Sequence, residues 1–153
     1  MTFRRFFHYL SYLQYPLMLT ALLLAFKPYI NGLEAIKQNP DLYFENVNTM
    51  LIFLGLGINF SSLQNTTKTQ NRFSRKIYED PKKGKFFIVL IILMIGFFLG
   101  TGLLGFFSIK NKIINELSVG LIILGLGMFG FLKAAVEMFE NHRLDKNPDI
   151  QKH

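Results

Sequence analysis

Residues 86–107 read FFIVLIILMIGFFLGTGLLGFF, a run with no acidic, basic or histidine side chain. A helix that crosses the hydrocarbon core of a bilayer needs about 20 consecutive apolar residues, and this run supplies them. In water a helix so composed would have no polar face to turn outward. The segment therefore reads as a transmembrane helix. Lys82, Lys83 and Lys85 lead into it, and Lys110 and Lys112 follow it. The same alternation of apolar runs and short charged blocks recurs along the chain, as expected for spans joined by loops.

Three more spans are expected, at about 10–27, 47–63 and 117–134. The first starts among Phe6, Phe7, Tyr9, Tyr12 and Tyr15, an interfacial aromatic belt. Pro16 falls in its first turns, where a missing N–H is tolerated. Arg4-Arg5 before the apolar run imitates a signal peptide, but Lys27-Pro28 follows without a small-x-small cleavage site, so the run reads as an uncleaved span. Asn31–Asn46 is a polar connection in which Leu33 and Ile36 can dip into the interface. The span at 47–63 is the weakest, being short and interrupted by Gly55, Gly57, Asn59 and two serines. The helix of the last span is expected to continue through Phe139, with a flexible cytoplasmic tail over 141–153.

Charge tests the weak span. With four spans and the N-terminus inside, only Lys27, Lys37, Lys110 and Lys112 lie outside. The other thirteen of the 17 Lys and Arg residues lie inside. Without the span at 47–63, the basic residues of the loop at 64–85 would fall outside, against the positive-inside bias. The sequence thus predicts an all-α, integral membrane four-helix bundle of one domain. It is placed in the plasma (inner) membrane with both termini cytoplasmic.

A net charge of +7 beside a mean hydropathy of +0.28 also bears on function. Nucleic-acid binding is not expected, because the basic residues abut apolar spans and topology already accounts for them. The chain has no Cys, which removes disulfides, thiol redox chemistry and Cys-ligated metals. His8 and His142 both fall at the cytoplasmic side, but two histidines on a tail and a leading turn do not make a metal or haem site. Gly125-x-Gly127-x-x-Gly130 matches the dinucleotide fingerprint, yet too little chain follows it to complete a βαβ unit. No catalytic constellation is present and no cofactor is expected. No ionisable group sits at the centre of a span, where proton-coupled transport would need one.

Two patterns remain. Small residues let helices approach in lipid, which assigns helix packing to Gly96, Gly100, Gly125, Gly127, Gly130 and Ala134. The segment Leu51–Gly57 resembles Leu121–Gly127, so the bundle can be read as two parallel two-helix repeats. In the second span, Glu45, Asn48, Ile52, Gly55, Asn59 and Ser62 recur at steps of three and four and share one face. Such a stripe turns away from lipid. It serves either as an interhelical seam, with Asn59 hydrogen-bonding a neighbour for roughly 1 kcal/mol, or as the lining of a polar path.

In the loop, residues from Thr66 to Asp80 can form a helix. Arg72, Arg75 and Lys76, with Lys82, Lys83 and Lys85 beyond it, can lie on anionic headgroups or dock a partner. The expected function is that of a small non-enzymatic subunit or scaffold in a homo-oligomer or larger membrane complex. The alternative is a channel or transporter for a small solute, assembled around the stripe of the second span.

Overall fold

The computed structural model describes residues 3–30, 36–64, 66 and 72–147, without the side chains of Arg4, Arg72 and Phe73. Leu33, named in the sequence reading, lies outside the described residues. Helix α1 (Phe3–Leu10) passes through a 3-10 turn (Ser11–Leu13) into α2 (Gln14–Ile30). It is followed by α3 (Pro40–Ser61), α4 (Arg72–Tyr78), α5 (Pro81–Ser108) and α6 (Lys112–His142). The chain is all-α, with four long packed helices.

Local chemistry sets most of these boundaries. A proline ring crowds the carbonyl four residues earlier. For Pro16 that carbonyl belongs to Tyr12, and there the rod tightens into its 3-10 turn. Pro40 and Pro81 occupy first-turn positions, where no N–H is needed. The Asp80 carboxylate accepts from the backbone N–H groups of Lys82 at 2.9 Å and Lys83 at 3.2 Å, capping α5. Asn111 does the same for α6 through Ile113 and Ile114.

Two boundaries differ from the sequence expectation. α3 begins at Pro40, so the end of the expected connection is helical. α6 runs through Asn141 to His142, and residues 143–147 fold back instead of beginning a loose tail. The Leu144 N–H donates to the Glu79 carbonyl at 3.1 Å, and the Asn147 N–H to that of Arg143 at 3.1 Å. The remainder of the expected tail, from Pro148, lies outside the described residues.

Among the described residues three helical rods are long and apolar enough to cross a membrane: Arg5–Ile30, Pro81–Ser108 and Lys112–His142, whose most apolar stretches have mean hydropathies of 1.4, 2.8 and 2.1. α3 has the length, 22 residues or about 33 Å at helical rise. It is not among the three, because Glu45, Asn46, Asn48 and Asn59 dilute its apolar character.

The four long helices form an open row in the order α2, α3, α6, α5. α3 packs on α2 and α6, and α6 packs on α3 and α5. α2 and α5 have at most marginal contact, so the expected bundle is not closed into a ring. Glycine spacing accounts for the row. Gly55 and Gly57 are two residues apart, about 200° around a helix, and face opposite neighbours. A Cβ on Gly55 would lie 2.8 Å from the Ile123 carbonyl oxygen in α6, and one on Gly57 would lie 3.0 Å from Met18 in α2. Gly127 likewise faces Gly55, while Gly125 meets Leu99 of α5.

Contacts between α3 and α6 keep a constant offset, Asn48 with Gly120 and Gly55 with Gly127 both being 72 positions apart. The two helices therefore run parallel. The matching glycines of the two sequence segments are not used equivalently, since Gly127 rather than Gly125 faces back across the pair.

The main core lies at the end of the row that carries α4. Tyr78, Ile91, Ile95, Met128, Ala135 and Phe139 are buried there together. Gly84 lets α5 close on the Phe139 ring. Elsewhere large apolar side chains face outward. On α5, Phe86, Leu93, Phe97, Leu104 and Phe107 are all more than 60% exposed. A belt of this kind suits hydrocarbon rather than water.

Candidate functional site

The polar stripe of α3 lies mostly in the α3–α6 seam. Asn48 accepts a hydrogen bond from the Gly120 backbone N–H at 2.8 Å. Gly55 and Gly127 bring the two backbones together below it. Further along, the Asn59 and Ser62 side chains fill the space where a Cβ on Gly130 would sit, each 2.7 Å away. The Ser62 hydroxyl donates to the Asn59 carbonyl at 2.6 Å. Asn59 differs from the expectation: its side chain is exposed and has no hydrogen bond to a neighbouring helix among the described residues. Glu45 is also exposed. It joins Asp41, Asn48, Lys112 and Glu116 around an open cleft of about 380 Å³ at the end of the row away from α4.

At the opposite, basic end the rod of α1 and α2 extends past the end of α3. A cleft of about 770 Å³ opens there, lined among others by Arg5, His8, Ser62, Thr66, Lys133 and Glu137. Lys133 pairs with Glu137 at 3.4 Å, and the Thr66 hydroxyl donates to the same carboxylate at 3.2 Å. With Lys133 three-quarters exposed, such a pair adds little stability. A second cavity, of about 410 Å³, lies between Gln14 and Met18 of α2, Tyr78 of α4, Phe87 of α5, and Phe131 and Met138 of α6.

The basic segment is partly helical, as expected. Arg75 of α4 pairs with Glu79, just past the helix end, at 2.6 Å, which occupies one of the segment's charges. Lys83 pairs with Asp80 at 3.0 Å, and this contact, with the backbone N–H groups of Lys83 and Lys82, holds the Asp80 carboxyl below the usual carboxylate range. Lys76, Lys82 and Lys85 are exposed, and the Arg72 side chain lies outside the described residues. After α6, Arg143 binds Asp145 at 2.5 and 2.7 Å and Glu140 at 2.9 Å, holding the Asp145 carboxyl low. The guanidinium also stacks over Phe139, 5.0 Å from its centroid.

Not every glycine assigned to helix packing packs within the chain. Gly125, Gly127 and Gly130 sit at seams, but Gly96 and Gly100 meet nothing within 4 Å. The α5–α6 seam is made instead by Gly102 and Gly105, which meet Ile122 and Ser118. Helical phase is the reason: a run without polar residues gives no sign of which face is inward. Ala134 lines the 410 Å³ cavity.

His142 is buried, not solvated, with Nδ1 2.8 Å from the Met138 carbonyl, while His8 is exposed beside Tyr12. Among the described residues no three His, Asp or Glu side chains converge as a metal site would require. Several buried polar residues escaped the sequence reading, among them Asn46, with its amide on the Leu42 carbonyl at 2.7 Å, Gln14 and Tyr78. A lone amide inside an apolar run was a readable signal for Gln14. Asn46 required knowing that α3 begins at Pro40.

Comparison with protein-family models, with curated proteins and with solved structures finds no match to this chain.

Proposed function

We infer that the chain is a non-enzymatic membrane protein crossing the bilayer four times, a small subunit or scaffold that completes its packing in a homo-oligomer or larger membrane complex. One observation carries this, the outward face of α5. Leu93, Gly96, Phe97, Gly100, Leu104 and Phe107 follow one another at helical spacing on that face. Both glycines are uncovered, and the four large side chains are 64–77% exposed. In lipid, small residues flanked by large apolar ones let a second helix approach closely. The open row, with α5 at one edge, leaves this face accessible.

In this arrangement α3 is the fourth span. It is held between α2 and α6, with Asn48 turned from lipid onto Gly120. Arg75, Lys76, Lys82, Lys83 and Lys85 then lie at the cytoplasmic surface against anionic headgroups.

The test uses the lack of native cysteine. Gly96→Cys in native membranes should form a disulfide-linked dimer on mild oxidation. Gly96→Ile with Gly100→Ile should abolish association in mild detergent while leaving the melting temperature unchanged. A lone monomer with no cross-link and no co-purifying membrane protein would overturn the proposal.

The exposed amide of Asn59, without a hydrogen bond among the described residues, favours a second function, a solute channel formed on oligomerisation. Asn59→Leu would then abolish flux in proteoliposomes while assembly persists; unchanged flux would exclude it.

A further inference from the structure

The 410 Å³ cavity at the α4 end holds an unusual pair of groups. Gln14 is 6% exposed and Tyr78 is 5% exposed, yet neither the Gln14 amide nor the Tyr78 hydroxyl has a hydrogen-bond partner among the described residues. Both line the same cavity. Two hydroxyls on its wall are occupied locally: that of Ser61 donates to the Ile58 carbonyl at 2.6 Å, and that of Thr66 to Glu137 at 3.2 Å, while Tyr15 lines the cavity as a largely exposed ring. Among the described residues no side-chain polar atom is sealed in without a partner, so these two groups open onto the cavity itself. Two unpartnered groups facing one space are free to bond its occupant.

The walls describe that occupant. The described lining carries aromatic, thioether, amide and hydroxyl groups, a surface that suits an uncharged occupant. Tyr78, Phe87 and Phe131 form a ladder of edge-to-face rings at 6.0 and 6.4 Å, and Met18 and Met138 contribute adaptable thioethers. Such surfaces accept a flat ring. The Gln14 NH₂ and Tyr78 O–H are donors that suit carbonyl oxygens.

We propose that this cavity binds a neutral, ring-bearing carbonyl compound of the quinone type, with Gln14 and Tyr78 donating to its oxygens. No redox step is implied. The alternative occupant is a cluster of ordered waters, which the same experiment distinguishes.

The probe is 2-methyl-1,4-naphthoquinone, added to the full chain in detergent and followed by equilibrium dialysis against protein-free micelles. The absence of cysteine removes the thiol addition that complicates this probe. Saturable binding of one molecule per chain is expected. Tyr78→Phe, which keeps the ring and its volume, and Gln14→Leu should each weaken binding about tenfold, the effect of one lost hydrogen bond. Tyr12→Phe, on an exposed ring, should leave it unchanged. Naphthalene, which lacks the carbonyls, should bind no more tightly than the variants bind the quinone. Partition no greater than into empty micelles would overturn the proposal in favour of water. So would binding that Tyr78→Phe and Gln14→Leu both leave intact, or equal affinity for naphthalene.

Discussion

Gly127 and Gly96 show how one residue type serves two purposes in the same chain. A Cβ on Gly127 would run into the Gly55 carbonyl across the α3–α6 seam, whereas one on Gly96 would meet nothing. Gly127→Val must therefore separate two parallel helices or shift their register. Overpacking of this kind costs about 1–3 kcal/mol, and a lowered unfolding midpoint in detergent would register it. Gly96→Val should leave that midpoint unchanged and act on association alone. Equal destabilisation by the two would contradict the packing described. Asn48 is the polar counterpart. Its carbonyl ties the two backbones at Gly120, and Asn48→Leu is expected to cost about 0.6 kcal/mol, typical of a hydrogen bond between membrane helices.

Two of the long helices, α5 and α6, are fixed at their starts by side-chain caps, and these are open to test. Asn111→Ala leaves the N–H groups of Ile113 and Ile114 without their acceptor, at an expected cost of about 1 kcal/mol. Fraying of the first turn of α6 should appear as faster amide exchange there. Two carboxylates at the other end give a pH dependence. Asp80 is held low by Lys83 and the N–H groups it caps, and Asp145 by Arg143. Both folded-state values are depressed, so each contributes stability that is present above the unfolded carboxylate value, about 3.9, and lost as pH falls through the folded one. Exchange of the Leu144 amide, bonded to Glu79, should quicken below about pH 4; constant exchange into that range would show that these contacts do not hold the turn. Tyr78 has the opposite sign. Burial raises its phenol, so its contribution is complete below about pH 10 and declines as pH rises through the higher folded value.

For the whole molecule, the open row is the decisive property. It leaves α2 and α5 as edges, and only 17% of the most apolar stretch of α5 is buried, against 33% for α6. A protein with this much uncovered apolar surface needs lipid or neighbours around it. Orientation is a separate matter, resting on charge. A reporter fused after Lys83 is expected to signal cytoplasm; an external signal there would overturn the arrangement of four spans with both termini inside.

Composition and order along the chain determined that it is helical, where three apolar rods lie, and which residues cap the two that start at Pro81 and Lys112. Each follows from a short-range cause: an uncharged run, a proline at a first turn, a side chain two or three residues from an N–H. Whether α3 crosses is marginal in hydropathy, and there only the distribution of charge speaks. The tertiary structure alone decided the order of the helices and the separation of Gly125 from Gly127 onto different neighbours. It also decided the outward turn of Gly96 and Gly100, and the meeting of Gln14 with Tyr78 around one cavity. The physical reason is phase. In helices apolar on every side, hydrophobicity gives no inward direction, and facing is set by where backbones fit together.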